Sequence, residues 1–234
     1  MKSQLPKILN EICGRPIISY TLENLRKAKL GEVVVVVSFR KNLVIKEITG
    51  AVKIAFQKNP KGGTGQAVKY GLEKVGSDAE YVMVFYGDDS AFFKPETIRD
   101  ALSEHKKNMA TVSFASTTVE NPYGLGRVIR GDDDKILGII EEKSATDSQK
   151  KIKEINCGNF IFNRTWLEKN INKLKKSSSG EYYINNLVQA AIDQGEKVTA
   201  YRLSDRWEWQ GINTPEELTQ AEAKMREKLG KYHG

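Results

Sequence analysis

Histidine and cysteine are scarce, with two of each in 234 residues. Cys13 and Cys157 belong to no CxxC pair, so neither a disulfide framework nor a thiolate metal cluster is expected. With His105 and His233 the only imidazoles, no Ser-His-Asp arrangement is apparent. Long apolar runs are missing too. The longest purely aliphatic one, Val33 to Val37, falls far short of a membrane span. The Met1–Pro6 segment carries no apolar signal-peptide region, so the expected location is cytoplasmic and no membrane partner is expected. No GxGxxG follows a first strand, which argues against a dinucleotide-dependent oxidoreductase. The formal charge is +7, but Lys and Arg are interleaved with Asp and Glu and form no basic stripe carrying aromatics. Nucleic acid is therefore not an expected partner. A modest positive field suits a small polyanion such as a nucleotide.

One stretch organises what is present: Tyr81-Val82-Met83-Val84-Phe85-Tyr86-Gly87-Asp88-Asp89. Six large apolar or aromatic residues run into a glycine and two carboxylates, which predicts a strand buried on both faces. Ligands of open α/β sheets gather beyond the carboxyl ends of such strands. Asp88 would sit at that edge, and Gly87 would let a ligand approach the backbone closely. A carboxylate there suits Mg²⁺, which takes one or two carboxylates plus substrate phosphates. The plainer reading is that Asp88 and Asp89 cap the next turn.

Around this stretch strands and helices alternate. Strands are predicted over 32–38, 52–56 and 110–116, and helices from Gly14-Arg15-Pro16 onward and over 42–48, 66–75 and 95–107. Asn59-Pro60-Lys61-Gly62-Gly63-Thr64-Gly65 reads as a Gly-rich loop opening the helix from Gln66. After Asn121–Gly126 the pattern changes to a β-hairpin (127–130, turn 131–134, 135–142), then a strand over 155–162. Ser177-Ser178-Ser179-Gly180 is a loop before a helix over 182–194, a last strand spans 197–203, and Pro215 opens the C-terminal helix. The expected fold is α/β: a doubly wound, mixed, mostly parallel, Rossmann-like sheet with a small hairpin lobe. The chain is expected to form one domain over 1–234.

A series of short motifs then follows in order. They are Leu5-Pro6-Lys7, Gln57 with Gly63-Thr64-Gly65, Tyr86-Gly87-Asp88 and Gly126-Arg127. Next come Glu141 with Ala145-Thr146 and Gln149, and Glu154-Ile155-Asn156-Cys157-Gly158. Gly180-Glu181-Tyr182-Tyr183-Ile184 and Gly211-Ile212-Asn213 complete the set. Together they resemble the sugar-1-phosphate nucleotidylyltransferases, above all the uridylyltransferase domain of bacterial N-acetylglucosamine-1-phosphate uridylyltransferases. The match runs over almost the whole chain and implies a nucleotide-binding half, 1–118, and a sugar-binding half, 119–234.

The resemblance implies attack by a sugar-phosphate oxygen on the α-phosphorus of a nucleoside triphosphate, UTP by analogy, with pyrophosphate leaving. Such a nucleophile is already ionised near neutral pH, so catalysis is mostly alignment and charge neutralisation. It further implies Mg²⁺ held by Asp88 and Asn213, with Lys7 as a phosphate-contacting catalytic lysine beside Asp88. Gln57, Gly63 and Thr64 would meet the base, and Gly126, Glu141, Asn156 and Tyr183 the sugar. Two departures bear on which sugar is taken: Asn185, where a threonine is frequent, and Leu125, where an aromatic is common. The resemblance also implies a strand ending in LAAGxGTR ahead of Met1–Lys7, lying between the 32–38 and 81–86 strands. Without that turn the chain is expected to turn over poorly, and a module that binds without catalysis is the alternative.

Overall fold

β-branched runs and helical spacings alternate along the first half of the sequence, and each becomes an element in the computed structural model, which describes residues 5–177 and 180–230. The strands are β1 (Glu11–Ile12), β2 (Arg15–Pro16), β3 (Val34–Val37), β4 (Lys53–Phe56) and β5 (Tyr81–Val84). They continue with β6 (Val112–Thr118), β7 (Arg127–Arg130), β8 (Ile136–Ile140), β9 (Glu154–Asn163) and β10 (Val198–Arg202). The helices are α1 (Ile17–Ala28), α2 (Lys41–Glu47), α3 (Gly63–Leu72) and α4 (Pro95–Lys107). After them come α5 (Asp147–Lys150), α6 (Arg164–Asn170), α7 (Asn185–Asp193) and α8 (Pro215–Gly230). None is long and apolar enough to cross a membrane among the described residues. Ser178, Ser179 and His233, named above, lie outside the described residues, as do Met1–Gln4.

β9 is the axis of the main sheet. Its C-terminal half runs antiparallel between β5, where Val84 faces Phe160, and β6, where Phe114 faces the same residue. Its N-terminal half lies against β7, with Ile155 opposite Arg127. β10 joins β6 in parallel, and β7 pairs with β8 as the expected hairpin. β5, β6, β7 and β10 therefore share one direction while β8 and β9 oppose it, giving a mixed α/β sheet. Phe114, Phe160, Phe162 and Trp166 form the centre of the largest core cluster, with the Phe162 and Trp166 rings stacked at 6.4 Å. Fully burying each such ring is worth about 1.5–3 kcal/mol.

Three expectations change. β5 is half-buried along its length, not buried on both faces. It pairs on one side only, with β9, while β3 pairs only with β4 in a separate two-stranded sheet. No described strand joins β3 to β5. The segment 63–65 is the first turn of α3 and not a loop. Finally, α7 begins at Asn185, because Tyr182 and the Ile184 N–H bond to the start of α3.

His105 on α4 is 1% exposed and bonds through Nδ1 to Ser113 Oγ at 2.6 Å, with Nε2 left without a partner. Burial holds its pKa down at about 4, against an ordinary value near 6.5. The imidazole is neutral in both states at pH 7. Between pH 6.5 and 4 the unfolded chain takes up a proton that the folded chain refuses. Stability is thus lost as pH falls through that window, by up to about 3 kcal/mol. Urea midpoints of the native chain and His105→Leu should diverge from pH 7 to pH 4.5, the variant falling less steeply. Parallel pH profiles would refute this.

Candidate active site

The carboxyl end of β5 runs directly into the Gly87-Asp88-Asp89 turn. A Cβ on Gly87 would meet Ile8 at 3.1 Å and Ile18 at 3.4 Å, so the turn is backed closely by α1 and by the 3₁₀ turn Lys7–Leu9. Behind Asp88, the Asp89 Oδ1 is buried, and the indole N–H of Trp209 beside the carboxyl offsets part of the cost of burying its charge. Burial first, and the adjacent Asp88 charge second, push the Asp89 pKa well above the carboxylate range.

Lys7 Nζ donates to Asn213 Oδ1 at 2.7 Å, so two residues 206 positions apart meet. Asn213 is positioned by the start of α8. Thr214 Oγ1 accepts from Glu217 N at 3.1 Å, and Glu217 Oε2 accepts from Thr214 N at 3.0 Å and from Asn213 N. This reciprocal cap is the device that fixes a helix entry. Ile212 shares a core cluster with Ala91 and Phe92, so the turns carrying Asn213 and Asp88 rest on the same patch of core. No hydrogen bond or ion pair links Asp88 to Lys7 or Asn213 among the described residues. The oxygens available here, one carboxylate and one amide, are the hard donors a Mg²⁺ ion takes alongside phosphate and water.

Opposite lies a polar cluster that brings three predicted sugar residues together. Asn156 N donates to Gly126 O at 2.9 Å, and Glu141 lies so close that a Cβ on Gly126 would be 3.5 Å from Oε1. Asn185 joins the others: its Nδ2 donates to Glu141 Oε1, and its Oδ1 accepts from Asn156 Nδ2 at 3.3 Å. The sequence marked Asn185 only as a departure, yet it is the bridge of the cluster. Its signal was its place at the helix start, two residues after Tyr183. Tyr183 itself is half-buried in the segment entering α7, with its carbonyl accepting from Asn186 N. Arg127 is buried beside this cluster, paired to Glu142, which also accepts from Gly124 N and so ties down the 121–126 loop.

The glycines of α3 do something other than open space for a base. Gly65 N donates to Tyr182 O at 2.8 Å, and Tyr182 N donates to Gly62 O at 3.0 Å. A Cβ on Gly63, whose φ is +79°, would stand 2.6 Å from Tyr182 O. Ile184 N donates to Thr64 Oγ1 at 3.0 Å, closing the seam between the two segments. Gln57 Nε2 donates to Gly63 O at 3.1 Å. Its second N–H points to Gln66 Oε1 at 3.4 Å, so what Gln57 has left to offer a ligand is its amide oxygen.

Tyr86 sits between all of these groups. Its ring lies against Gly158, its hydroxyl faces Thr64, and burial, reinforced by the carboxylates of Asp89, Glu141 and Asp88, raises its pKa. One phenol thus feels both the Asp88 turn and the Glu141 cluster. The sequence had quoted Tyr86 within a motif and given it no role.

Comparison with known proteins extends this picture. A family model described as nucleotidyl transferase matches residues 2–228. The bifunctional protein GlmU of Caldicellulosiruptor saccharolyticus is 34% identical over 236 residues, covering all of this chain and 50% of the relative. That of Bacillus licheniformis is 32% identical, with 51% of its length covered. The chain spans about half the length of these curated relatives. Among solved structures, a Bacillus anthracis protein provisionally assigned as a glucose-1-phosphate thymidylyltransferase superposes with a TM-score of 0.77 at 20% identity, over 94% of this chain and 86% of that one. A CMP:2-keto-3-deoxy-manno-octonic acid synthetase complexed with CTP gives 0.69 at 17%, over 97% and 95%. At such identities the likeness concerns the fold.

Proposed function

Because this chain belongs to the nucleotidyl transferase family, we propose that it transfers the uridylyl group of UTP to a sugar 1-phosphate, N-acetylglucosamine 1-phosphate being the sugar the motifs imply. The observation carrying this reading is the Glu141–Asn185–Asn156 cluster beside Gly126.

In this reading Glu141 accepts from sugar hydroxyls, Asn156 both donates and accepts, and Asn185 keeps the two in register. A phosphate oxygen of the sugar attacks the α-phosphorus of UTP. The new P–O bond forms as the bond to the β-phosphate breaks, and pyrophosphate leaves with the electron pair. No protein base is required. The Lys7 ammonium offsets charge on the phosphates, releasing Asn213 Oδ1 as it does so. Asp88 and Asn213 would hold a Mg²⁺ ion, which would add to the neutralisation of the crowded phosphates. The Gln57 amide oxygen would accept from N3–H of uracil, whereas the N3 of cytosine is itself an acceptor. Uracil should therefore be preferred over cytosine.

Pyrophosphate release measured across UTP, dTTP, CTP and several sugar 1-phosphates tests the reading. Turnover should be highest with UTP or dTTP and with an N-acetylated hexosamine 1-phosphate. Release with no combination would sink it. Asn185→Leu is expected to raise KM for the sugar phosphate about tenfold or more, as for loss of one buried polar contact pair, with KM for UTP unchanged. An equal rise in both would place Asn185 in a purely structural role.

A further inference from the structure

At the carboxyl ends of β3 and β4, away from the Glu141 cluster, lies a cavity of about 520 Å³. That volume is within the usual range for small-molecule sites, roughly 300–1,000 Å³. Arg40, Lys41 and Lys58 line it, and no carboxylate does. None of the three cations forms an ion pair with any described residue, whereas many of the chain's other lysines and arginines do. Arg40 is held at a left-handed φ of +49° in the junction between β3 and α2, which fixes where its side chain leaves the backbone. Ser38 Oγ donates to Gln57 O at 2.9 Å and ties the two strand ends together, so the cavity has a braced floor. Its apolar wall is Phe56, 47% exposed, with the Lys41 ammonium 4.7 Å from the ring centroid. Three cations without a carboxylate partner, Arg40 lying 5.6 Å from the Phe39 ring centroid and Lys41 beside Phe56, form a site for a planar group that carries several negative charges.

We propose that this cavity binds a nucleoside polyphosphate as a second ligand, with its phosphates on Arg40, Lys41 and Lys58 and its base on Phe56. The proposal goes beyond the transfer reaction: Arg40, Lys41, Lys58 and Phe56 have no part in it, and Gln57 alone is shared with the base contact proposed above. Gln57 lies at the border of the cavity and of the Gly63 turn. Occupancy should therefore be felt at the start of α3.

Equilibrium dialysis of the chain against radiolabelled ATP is the test. Arg40→Glu/Lys58→Glu should weaken ATP binding at least about tenfold, and Phe56→Ala severalfold, as for loss of one stacking partner. Asp88→Ala should leave ATP binding unchanged. Arg40→Gln/Lys58→Gln, which adds no repulsion, should show an intermediate loss with an unaltered thermal midpoint. Three results would overturn the proposal. One is binding that falls in Asp88→Ala but survives both double variants. Another is inorganic tripolyphosphate displacing ATP as well as ATP itself does, which would make the wall a simple anion patch. The last is single-stranded RNA competing at far lower concentration than any nucleotide, which would make the cavity part of a macromolecular surface.

Discussion

Asp88→Ala should lower the rate of pyrophosphate release by about 10³-fold or more, the scale of removing a principal electrostatic contact to a reacting phosphate. Asp88→Asn should do the same, because the shape remains and the charge is gone. Folding should not suffer. Asp88 makes no ion pair among the described residues, and its charge raises the pKa of buried Asp89. Removing that charge relieves a repulsion, so the thermal midpoint should hold or rise slightly. This pairing of outcomes separates the two readings of the Asp88-Asp89 dyad left open by the sequence. A turn-capping residue would lose stability and keep most of the rate. A rate within about tenfold of the native one would remove Asp88 from the chemistry.

Gly158→Ala should destabilise the fold by about 2–5 kcal/mol, the sum of two separate penalties. Alanine at φ +73° enters the left-handed region, at about 1–2 kcal/mol. Its Cβ would also stand 2.5 Å from Tyr86 Cδ2 and 2.7 Å from Cε2, an overpacking worth about 1–3 kcal/mol. The Tyr86 ring has Phe160 beside it, at 6.4 Å between centroids, and its hydroxyl faces Thr64, which limits how it can give way. Urea titration gives the total, and a double-mutant cycle gives the division. In a Tyr86→Ala background the same glycine substitution should lose only the backbone part, about 1–2 kcal/mol. A full-sized loss in that background would mean that the ring is not what the glycine accommodates.

Residues whose signal is local were read correctly from the sequence. Pro95 at the first position of α4, Thr214 and Pro215 opening α8, and the polar turn between β7 and β8 each specify their own neighbourhood. What stayed hidden depends on distant partners. The run ending in Tyr86 suggested a strand buried on both sides, but its burial is set by pairing with β9 some 80 residues later. Gly62, Gly63 and Gly65 advertise conformational freedom, while the approach of Tyr182 that uses it has no counterpart in the sequence nearby. Glu141 and Asn156 were legible only through family resemblance. Asn185, which joins them, was noticed for differing from a pattern and not for what it touches. Lys7 and Asn213 were both singled out, but their mutual hydrogen bond is a product of the fold.

The central position of β9 also has a bearing on biosynthesis. β5 and β6 leave the ribosome before the strand that must slot between them. About 40 residues separate the end of β6 from the middle of β9, which at translation rates of roughly 5–20 residues per second is a wait of about 2–8 s. Throughout that interval two strand edges stand open to any other nascent chain. Slowing elongation while β6 is outside the ribosome and β9 is still within it should therefore raise the aggregated fraction, whereas slowing it once β9 has emerged should not.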